Sequence, residues 1–470
     1  MEAIRQFFQL RKHFFIMESF AGESYAFFTN MKITLSTVTS NRHKINNVSS
    51  KGSELYIIRM NLSNKRTGEN RSEPEPPGSN GLPKEEKTVK KETIKSKVLP
   101  EFLVDQLELN HNPPRQNRFC SNYQSFQEYY HSMETQLISS GFRYSTLPPS
   151  YVRPVPDRPK LLEVTDYHNA PIIDLGCGDR KFIVQQIAQA CQQYGFFQVI
   201  NHGVARETME KMLEVANEFF RLPMEEKMKL YSNDPSKTTR LSTSSNIQKE
   251  KIHNWRDYLR LHCYPLDKYT KEWPINPPSF KEIVSNYCSE IRQLGLRLQE
   301  AISESLGLDK DYINKSLGEQ GQHMAINYYP PCPEPELTYG LPAHTDPNTL
   351  TILLQDMQVT GLQLLKDGKW LAVKPFPNAF VVNIGDQLQA LSNSKYKSTW
   401  HRAVVNAHKA RISVASFLCP SNTALIKAPK ELIEDESQAI YRDYTYAEYY
   451  NKFWSRNLDQ GHCLELFKNI

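Results

Sequence analysis

The spacing of apolar residues changes twice along this chain, and each change predicts a different kind of structure. From Ala170, the run Pro171-Ile172-Ile173-Asp174-Leu175 predicts a short strand. Phe182, Ile183, Ile187, Ala190, Cys191 and Tyr194 then recur at helical spacing, and Gly195 is placed to end that helix. Phe196 to Ile200 reads as a buried strand and Asn201-His202-Gly203 as a turn. A second amphipathic helix carries Met212, Val215, Ala216, Phe219 and Phe220, and Pro223 suits the start of another short helix. A long helix is predicted from Phe280 to Leu306, with Ile283, Tyr287, Ile291, Leu294, Leu298, Ile302 and Leu306 as its apolar stripe and Gly307 as its stop.

After Gly307 the period falls to two. Ala325 to Tyr329, Thr349 to Leu354, Leu362 to Leu365, Trp370 to Val373, Ala379 to Ile384, Thr399 to Asn406 and Arg411 to Leu418 all read as short strands. Helices followed by about eight short strands predict an α+β fold with a double-stranded β-helix, or jelly-roll, core flanked by helices. Tyr444 to Trp454 reads as a helix packed on the outside, and Gly385-Asp386 as a tight turn between strands.

Composition alters the picture mainly at the N-terminus. From about Asn41 to Arg118 the chain is rich in Asn, Ser, Lys, Glu and Pro, as in Arg71-Ser72-Glu73-Pro74-Glu75-Pro76-Pro77-Gly78. Such a segment buries too little apolar surface to offset the entropy of ordering, so a disordered extension is expected over residues 1–132. The first 30 residues mix phenylalanines with basic residues as targeting segments do, but Glu2, Glu18 and Glu23 argue against one. Met133 is the expected start of the catalytic unit. Residues 133–317 form its helical and mixed region, 318–425 the jelly-roll core and 426–470 a C-terminal helical segment.

The 470 residues carry a net charge of +5 and a pI near 8.5, with no lysine and arginine stripe interleaved with aromatics. No nucleic-acid partner is expected. The scattered cysteines lack C-x-x-C spacing, which argues against a disulfide framework or zinc site and for a reducing compartment. No apolar stretch is long enough for a transmembrane helix. The expectation is a cytoplasmic monomer, with the nucleus as an alternative location.

The candidate chemistry lies in His344-Thr345-Asp346, in His401, and in Arg411-Ile412-Ser413. A ferrous ion that activates dioxygen needs imidazoles and one carboxylate on one face, with the opposite positions open. His344 and Asp346, at i and i+2, project the same way on a strand or at its end. Arg411, an even number of residues after His401, can face the same barrel interior if that strand stays regular. Zinc is the competing metal. His202, His253, His323 and His408 are not expected to be ligands, and the five tryptophans read as core or anchoring aromatics.

Together with Asn327-Tyr328-Tyr329-Pro330-Pro331-Cys332-Pro333, Gly195-Phe196-Phe197 and Asn201-His202-Gly203, these motifs resemble the plant 2-oxoglutarate- and Fe(II)-dependent dioxygenases over residues 133 to 470. Within that family, Asn254-Trp255-Arg256-Asp257-Tyr258-Leu259-Arg260-Leu261-His262, Gly340-Leu341-Pro342-Ala343, Gly385-Asp386-Gln387-Leu388-Gln389-Ala390 and Val414-Ala415-Ser416-Phe417-Leu418 resemble the downy-mildew-resistance-type oxygenases, the salicylate hydroxylases. The resemblance implies His344, Asp346 and His401 as ligands of Fe(II). It implies Arg411, Ser413, Tyr329 and Asn327 around the cosubstrate 2-oxoglutarate, with dioxygen consumed and ascorbate as reductant. An arginine is suited to the distal carboxylate because its planar fork binds it through two parallel hydrogen bonds.

The expected substrate is a small aromatic or phenolic molecule, with salicylate hydroxylated at ring position five or three. The consequence implied is salicylic acid turnover with lowered defence signalling. On a strand through Tyr258 to His262, Tyr258, Arg260 and His262 share one face. Arg260 is the candidate partner of the substrate carboxylate, and Phe417 the candidate ring contact. Two alternatives stand beside this reading: a flavone synthase or flavanone hydroxylase, and a catalytically silent scaffold with the same fold.

Overall fold

Alternation along single strands builds the molecule, because each central strand turns apolar residues to one side and polar or small residues to the other. The computed structural model describes residues 137–470 except 142, 168–170, 245–249, 434–438, 457–460 and 470, together with two short strands nearer the N-terminus. Those two strands, Thr34–Thr37 and Tyr56–Arg59, pair antiparallel within a unit spanning Met1–Gln116. The expected disorder of residues 1–132 otherwise lies outside the described residues. The second unit spans Asn117–Ile470.

Thirteen strands of this second unit frame the site: β1 Thr165–Tyr167, β2 Ile172–Asp174, β3 Phe196–Ile200, β4 Thr239–Thr243, β5 Asp257–His262, β6 Gly321–Tyr329, β7 Leu341–His344, β8 Leu350–Gln355, β9 Leu362–Lys366, β10 Lys369–Val373, β11 Phe380–Ile384, β12 His401–Ala403 and β13 Arg411–Cys419. Eight form a sheet in the order β2-β3-β11-β8-β13-β6-β5-β4, and five form a second in the order β1-β10-β9-β12-β7. The two sheets enclose Phe196, Leu353, Leu362, Leu364, Leu371, Val373, Val381 and Ala415. This is the expected jelly-roll.

The outer face of the larger sheet holds the main core. Leu350, Ile352 and Leu354 of β8, Val414 and Leu418 of β13, and Val382 and Ile384 of β11 meet Tyr287, Ile291, Leu294, Leu298 and Ile302 in one buried cluster. The latter five belong to helix α3, Phe280–Ser305. Helix α1, Arg180–Gln193, is capped by Asp179, whose carboxylate accepts from the Phe182 N–H at 3.1 Å. Helix α2, Arg206–Arg221, adds Met212, Val215, Phe219 and Phe220 to the same core.

Three expectations about local structure change. Thr399 to Asn406 is a strand only over His401–Ala403, because the chain bends away after the pairing of β12 with β7 and β9. Asp386 opens a helix, α4 (Asp386–Leu391), rather than closing a tight turn. The C-terminal helix α5, Tyr446–Trp454, does not simply cover the outside, since four of its side chains line an internal cavity.

Residues 138 and 139 dock through buried polar groups. The fully buried Asp257 carboxylate accepts from the N–H groups of Ile138 (3.3 Å) and Ser139 (2.7 Å). Lys227 Nζ donates to the carbonyls of Ser139 (2.6 Å) and Phe220 (3.0 Å). Asp257→Asn turns an amide N–H₂ towards these donors and should cost about 1–3 kcal/mol. Urea denaturation would read this as a lower midpoint, and an unchanged midpoint would show that the carboxylate is not the anchor.

Candidate active site

Backbone register brings the predicted motifs together across strands. In the pairing of β13 with β6, Arg411 lies opposite Tyr329, Ser413 opposite Asn327, Ala415 opposite Ala325 and Phe417 opposite His323. The pairing of β5 with β6 extends these rows by Tyr258, Arg260 and His262. On the other side of β13, Gln355, Leu353 and Thr351 of β8 continue them. Arg411, Ser413, Ala415 and Phe417 all face the space between the sheets, where the small Ala325 and Ala415 leave room.

His344 ends β7 and Asp346 follows two residues later, while His401 opens β12 directly opposite His344. Their rings and carboxylate converge: Asp346 Oδ1 lies 3.8 Å from His344 Nε2 and 3.7 Å from His401 Nε2. One ligand atom from each residue falls within 4.8 Å of the others, which makes this a candidate metal site. Arg411 faces it from the opposite sheet. The strand carrying His401 ends at Ala403 and a new one begins at Arg411. Even spacing along one strand is therefore not why Arg411 points inward.

Hydrogen bonds orient each converging group. His344 Nδ1 lies 2.9 Å from the Pro342 carbonyl and His401 Nδ1 lies 3.1 Å from that of Thr399. A carbonyl only accepts, so Nδ1 carries a proton on each ring and Nε2 is the nitrogen turned towards Asp346. Asp346 Oδ2 accepts from Thr351 Oγ1 (2.6 Å) and Asn383 Nδ2 (2.8 Å), which turns Oδ1 towards the imidazoles. Burial, with His401 alongside, pushes the His344 imidazole down to about 3, so it is neutral near pH 7. Burial pushes the Asp346 carboxyl up, but the two histidines and these hydrogen bonds outweigh it and hold it below the usual carboxylate range.

Two cavities meet over His344 and Asp346. The smaller, of about 80 Å³, also touches His401, Tyr329, Asn327, Arg411 and Ser413. Arg411 Nη2 donates to Gln355 Oε1 at 2.8 Å, its guanidinium lies 5.2 Å from the Tyr329 ring centroid, and its Nε has no hydrogen-bond partner among the described residues. Asn327 Nδ2 reaches Ser413 Oγ at 3.4 Å, and Asn327 Oδ1 accepts from Arg256 at 3.2 Å. The larger cavity, of about 140 Å³, is lined by Tyr258, Arg260 and Phe417 among the expected substrate residues. His262 is not in its lining: its ring stacks at 4.0 Å on that of His323, which takes the lining position. Arg240, Arg256, Tyr446, Tyr450, Phe453 and Trp454 line it too and were not anticipated. Tyr446, Tyr450 and Phe453 at i, i+4 and i+7 were a readable one-faced stripe.

The 2OG-Fe(II) oxygenase superfamily model matches residues 320–420, and the model described as non-haem dioxygenase in morphine synthesis N-terminal matches residues 170–280. Protein DOWNY MILDEW RESISTANCE 6 of Arabidopsis thaliana is 66% identical over 340 residues, covering 72% of this chain and 100% of that relative. The chain belongs to the 2OG-Fe(II) oxygenase superfamily. It is a 2-oxoglutarate- and Fe(II)-dependent oxygenase. Flavanone 3-dioxygenase 2 of Oryza sativa subsp. japonica is 62% identical over 333 residues, covering 71% of this chain and 97% of its own length. The crystal structure of JOX2 in complex with 2OG, Fe and JA superposes with a TM-score of 0.65 at 39% identity, over 70% of this chain and 96% of that one.

The residues present suit this family's metal and cosubstrate. Two imidazoles and a carboxylate, each with its other polar atom already bonded, turn two ring nitrogens and one carboxylate oxygen towards a common point suited to one cation. Among the described residues no helix is long and apolar enough to cross a membrane, and the seven described cysteines are free.

Gly361 packs against Arg411 so closely that an added Cβ would lie 2.7 Å from its Cδ and 2.9 Å from its Nε. Gly361→Ala should therefore displace the guanidinium and raise the KM for 2-oxoglutarate about tenfold or more, since a charge-assisted contact is worth about 1.5–3 kcal/mol. Steady-state kinetics with varied 2-oxoglutarate would test this, and an unchanged KM would show that Arg411 does not set cosubstrate affinity.

Proposed function

We propose that this oxygenase hydroxylates salicylate at ring position five or three, as part of salicylic acid turnover. The observation carrying this reading is the charge of the larger cavity. Its lining holds the guanidiniums of Arg240, Arg256 and Arg260 against one carboxylate, Asp346, which the metal occupies in the loaded enzyme. Arg240 and Arg260 each keep a buried Nε without a hydrogen-bond partner among the described residues. A small anionic aromatic compensates that charge, whereas a neutral flavanone does not.

In this reading His344, Asp346 and His401 hold Fe(II). Arg411 and Ser413 hold the distal carboxylate of 2-oxoglutarate, with Tyr329 and Asn327 closing around it. The bound iron supplies oxidative decarboxylation of 2-oxoglutarate by dioxygen, giving succinate and carbon dioxide and placing one oxygen atom on the substrate. Ascorbate serves as external reductant. The protein's own share is placement. Arg260 has Nη2 engaged by the carbonyls of Pro235 (2.6 Å) and Lys237, which holds the guanidinium at the cavity wall. Arg240 donates to the Tyr258 hydroxyl from the neighbouring strand. Phe417 and the aromatic residues of α5 exclude water and pack against the substrate ring.

A second reading, oxidation of a flavanone, is favoured by the 62% identity to Flavanone 3-dioxygenase 2 and by the aromatic wall of Tyr446, Tyr450, Phe453 and Trp454. Succinate release with Fe(II), ascorbate and 2-oxoglutarate, compared over salicylate and naringenin, separates the two. Salicylate is expected to give the faster turnover, and chromatography with mass spectrometry then identifies the dihydroxybenzoate formed. Arg260→Gln should raise the KM for salicylate about 10- to 100-fold, from loss of a contact worth about 1.5–3 kcal/mol, and change that for naringenin less than about twofold. Equal changes for both substrates would remove Arg260 as the carboxylate partner.

A further inference from the structure

The buried Asp386 side chain joins two segments that both face the larger cavity. From one side, Thr345 Oγ1, between His344 and Asp346, donates to Asp386 Oδ2 at 3.2 Å. From the other, the hydroxyl of the fully buried Tyr449 in α5 donates to the same oxygen. His462 Nε2, beyond α5, lies 3.4 Å from Asp386 Oδ1. His462 Nδ1 accepts from the Leu464 N–H at 3.2 Å, which puts the ring's proton on Nε2, yet neither Nε2 nor Asp386 Oδ1 makes a hydrogen bond among the described residues.

The backbone repeats this link. The Asp386 N–H donates to the Asp346 carbonyl at 2.8 Å, and the Gly385 N–H to that of Thr349 at 2.9 Å. Gly385 is needed for this approach, because a Cβ there would overlap the Asn348 carbonyl oxygen. Gln387, one residue on, donates to the Pro347 carbonyl at 2.8 Å and accepts from the Tyr444 hydroxyl at 3.1 Å. Helix α4 thus bridges the turn bearing His344 and Asp346 to the C-terminal segment. While Tyr449 is held by Asp386, its neighbours Tyr446, Tyr450, Phe453 and Trp454 form a wall of the cavity.

We propose that Asp386 is a positioning residue: by gripping Thr345 and Tyr449 together, it sets the placement of the aromatic substrate wall relative to the metal ligands. The inference rests on His344 and Asp346 being metal ligands, and holds for whichever aromatic substrate fills the cavity. Loosening the link leaves 2-oxoglutarate bound through Arg411 and still decarboxylated, while the substrate ring no longer sits where the oxygen is delivered. The signature is uncoupling, meaning succinate released without hydroxylated product.

Tyr449→Phe and Thr345→Val each remove one hydroxyl and keep the side-chain volume close to native. For each variant, product formed per succinate released is measured with the best substrate of the wild type, beside the KM for 2-oxoglutarate. Amide hydrogen exchange over 446–454 is followed with Mn(II) and 2-oxoglutarate present. The expected result is a product-to-succinate ratio lowered at least threefold, a KM for 2-oxoglutarate within twofold of wild type, and exchange in α5 accelerated about tenfold. A ratio that stays at the wild-type value overturns the proposal, even where total activity or melting temperature falls, because a purely structural role lowers both products together. If Tyr449→Phe fails to fold, Thr345→Val alone decides. Wild type that binds no Mn(II) by calorimetry would remove the ligand assignment and this inference with it. Bound Mn(II) with unchanged ratios removes this inference alone.

Discussion

Two imidazoles and a carboxylate, nearly removed from water and aimed at one point, are held there only because each has its other polar atom bonded elsewhere. His344 and His401 donate from Nδ1 to carbonyls two residues back in the chain, and Asp346 accepts from Thr351 and Asn383. These contacts fix which atoms remain free. Without them the rings and the carboxylate could turn, leaving no common point for a cation. The oxygenase chemistry of the family depends on that constraint, and the barrel around it serves mainly to enforce it.

The same barrel face also makes the space the chemistry needs. Ala325 and Ala415 are paired across β6 and β13, in the row between Asn327–Ser413 and His323–Phe417. Larger residues in that middle row would fill the junction of the two cavities. Around the opening, cations outnumber anions: Arg411 faces the smaller cavity, and Arg240, Arg256 and Arg260 face the larger. Buried guanidinium charge without a facing carboxylate is costly, and this excess of positive charge is what the proposed carboxylate-bearing cosubstrate and substrate would offset. The aromatic part of the larger cavity's wall comes from the C-terminal helix, which helix α4 ties back to the turn bearing His344 and Asp346.

Much of this was legible along the chain. Residues whose role follows from local spacing were placed correctly: the stripe of α3, the alternation in β6, β8, β11 and β13, and the pairing of His344 with Asp346 at a strand end. Such patterns are set by periods of two and 3.6 that the backbone imposes on any sequence. Where the role depended on which strands lie opposite each other, spacing was silent or misleading. His401 and Arg411 are an even number apart, yet they sit in different sheets and meet across the interior. Parity placed His262 in the pocket with Arg260, whereas its contact with His323 on the next strand places it behind the wall.

The sequence by itself determined the fold class and the shared direction of His344 and Asp346, which local backbone periods imply, and it singled out His401, Arg411 and Ser413 as candidates through their motifs, not through their placement. Only the tertiary structure decided that Arg240 and Arg256 join Arg260, that α5 lines the cavity, and that Asp386 bridges Thr345 to Tyr449. Asp386 and Tyr449 are 63 residues apart in the chain. A contact of that kind has no periodic signature, since it exists only once the helices and both sheets have packed and a buried carboxylate must find donors wherever they lie.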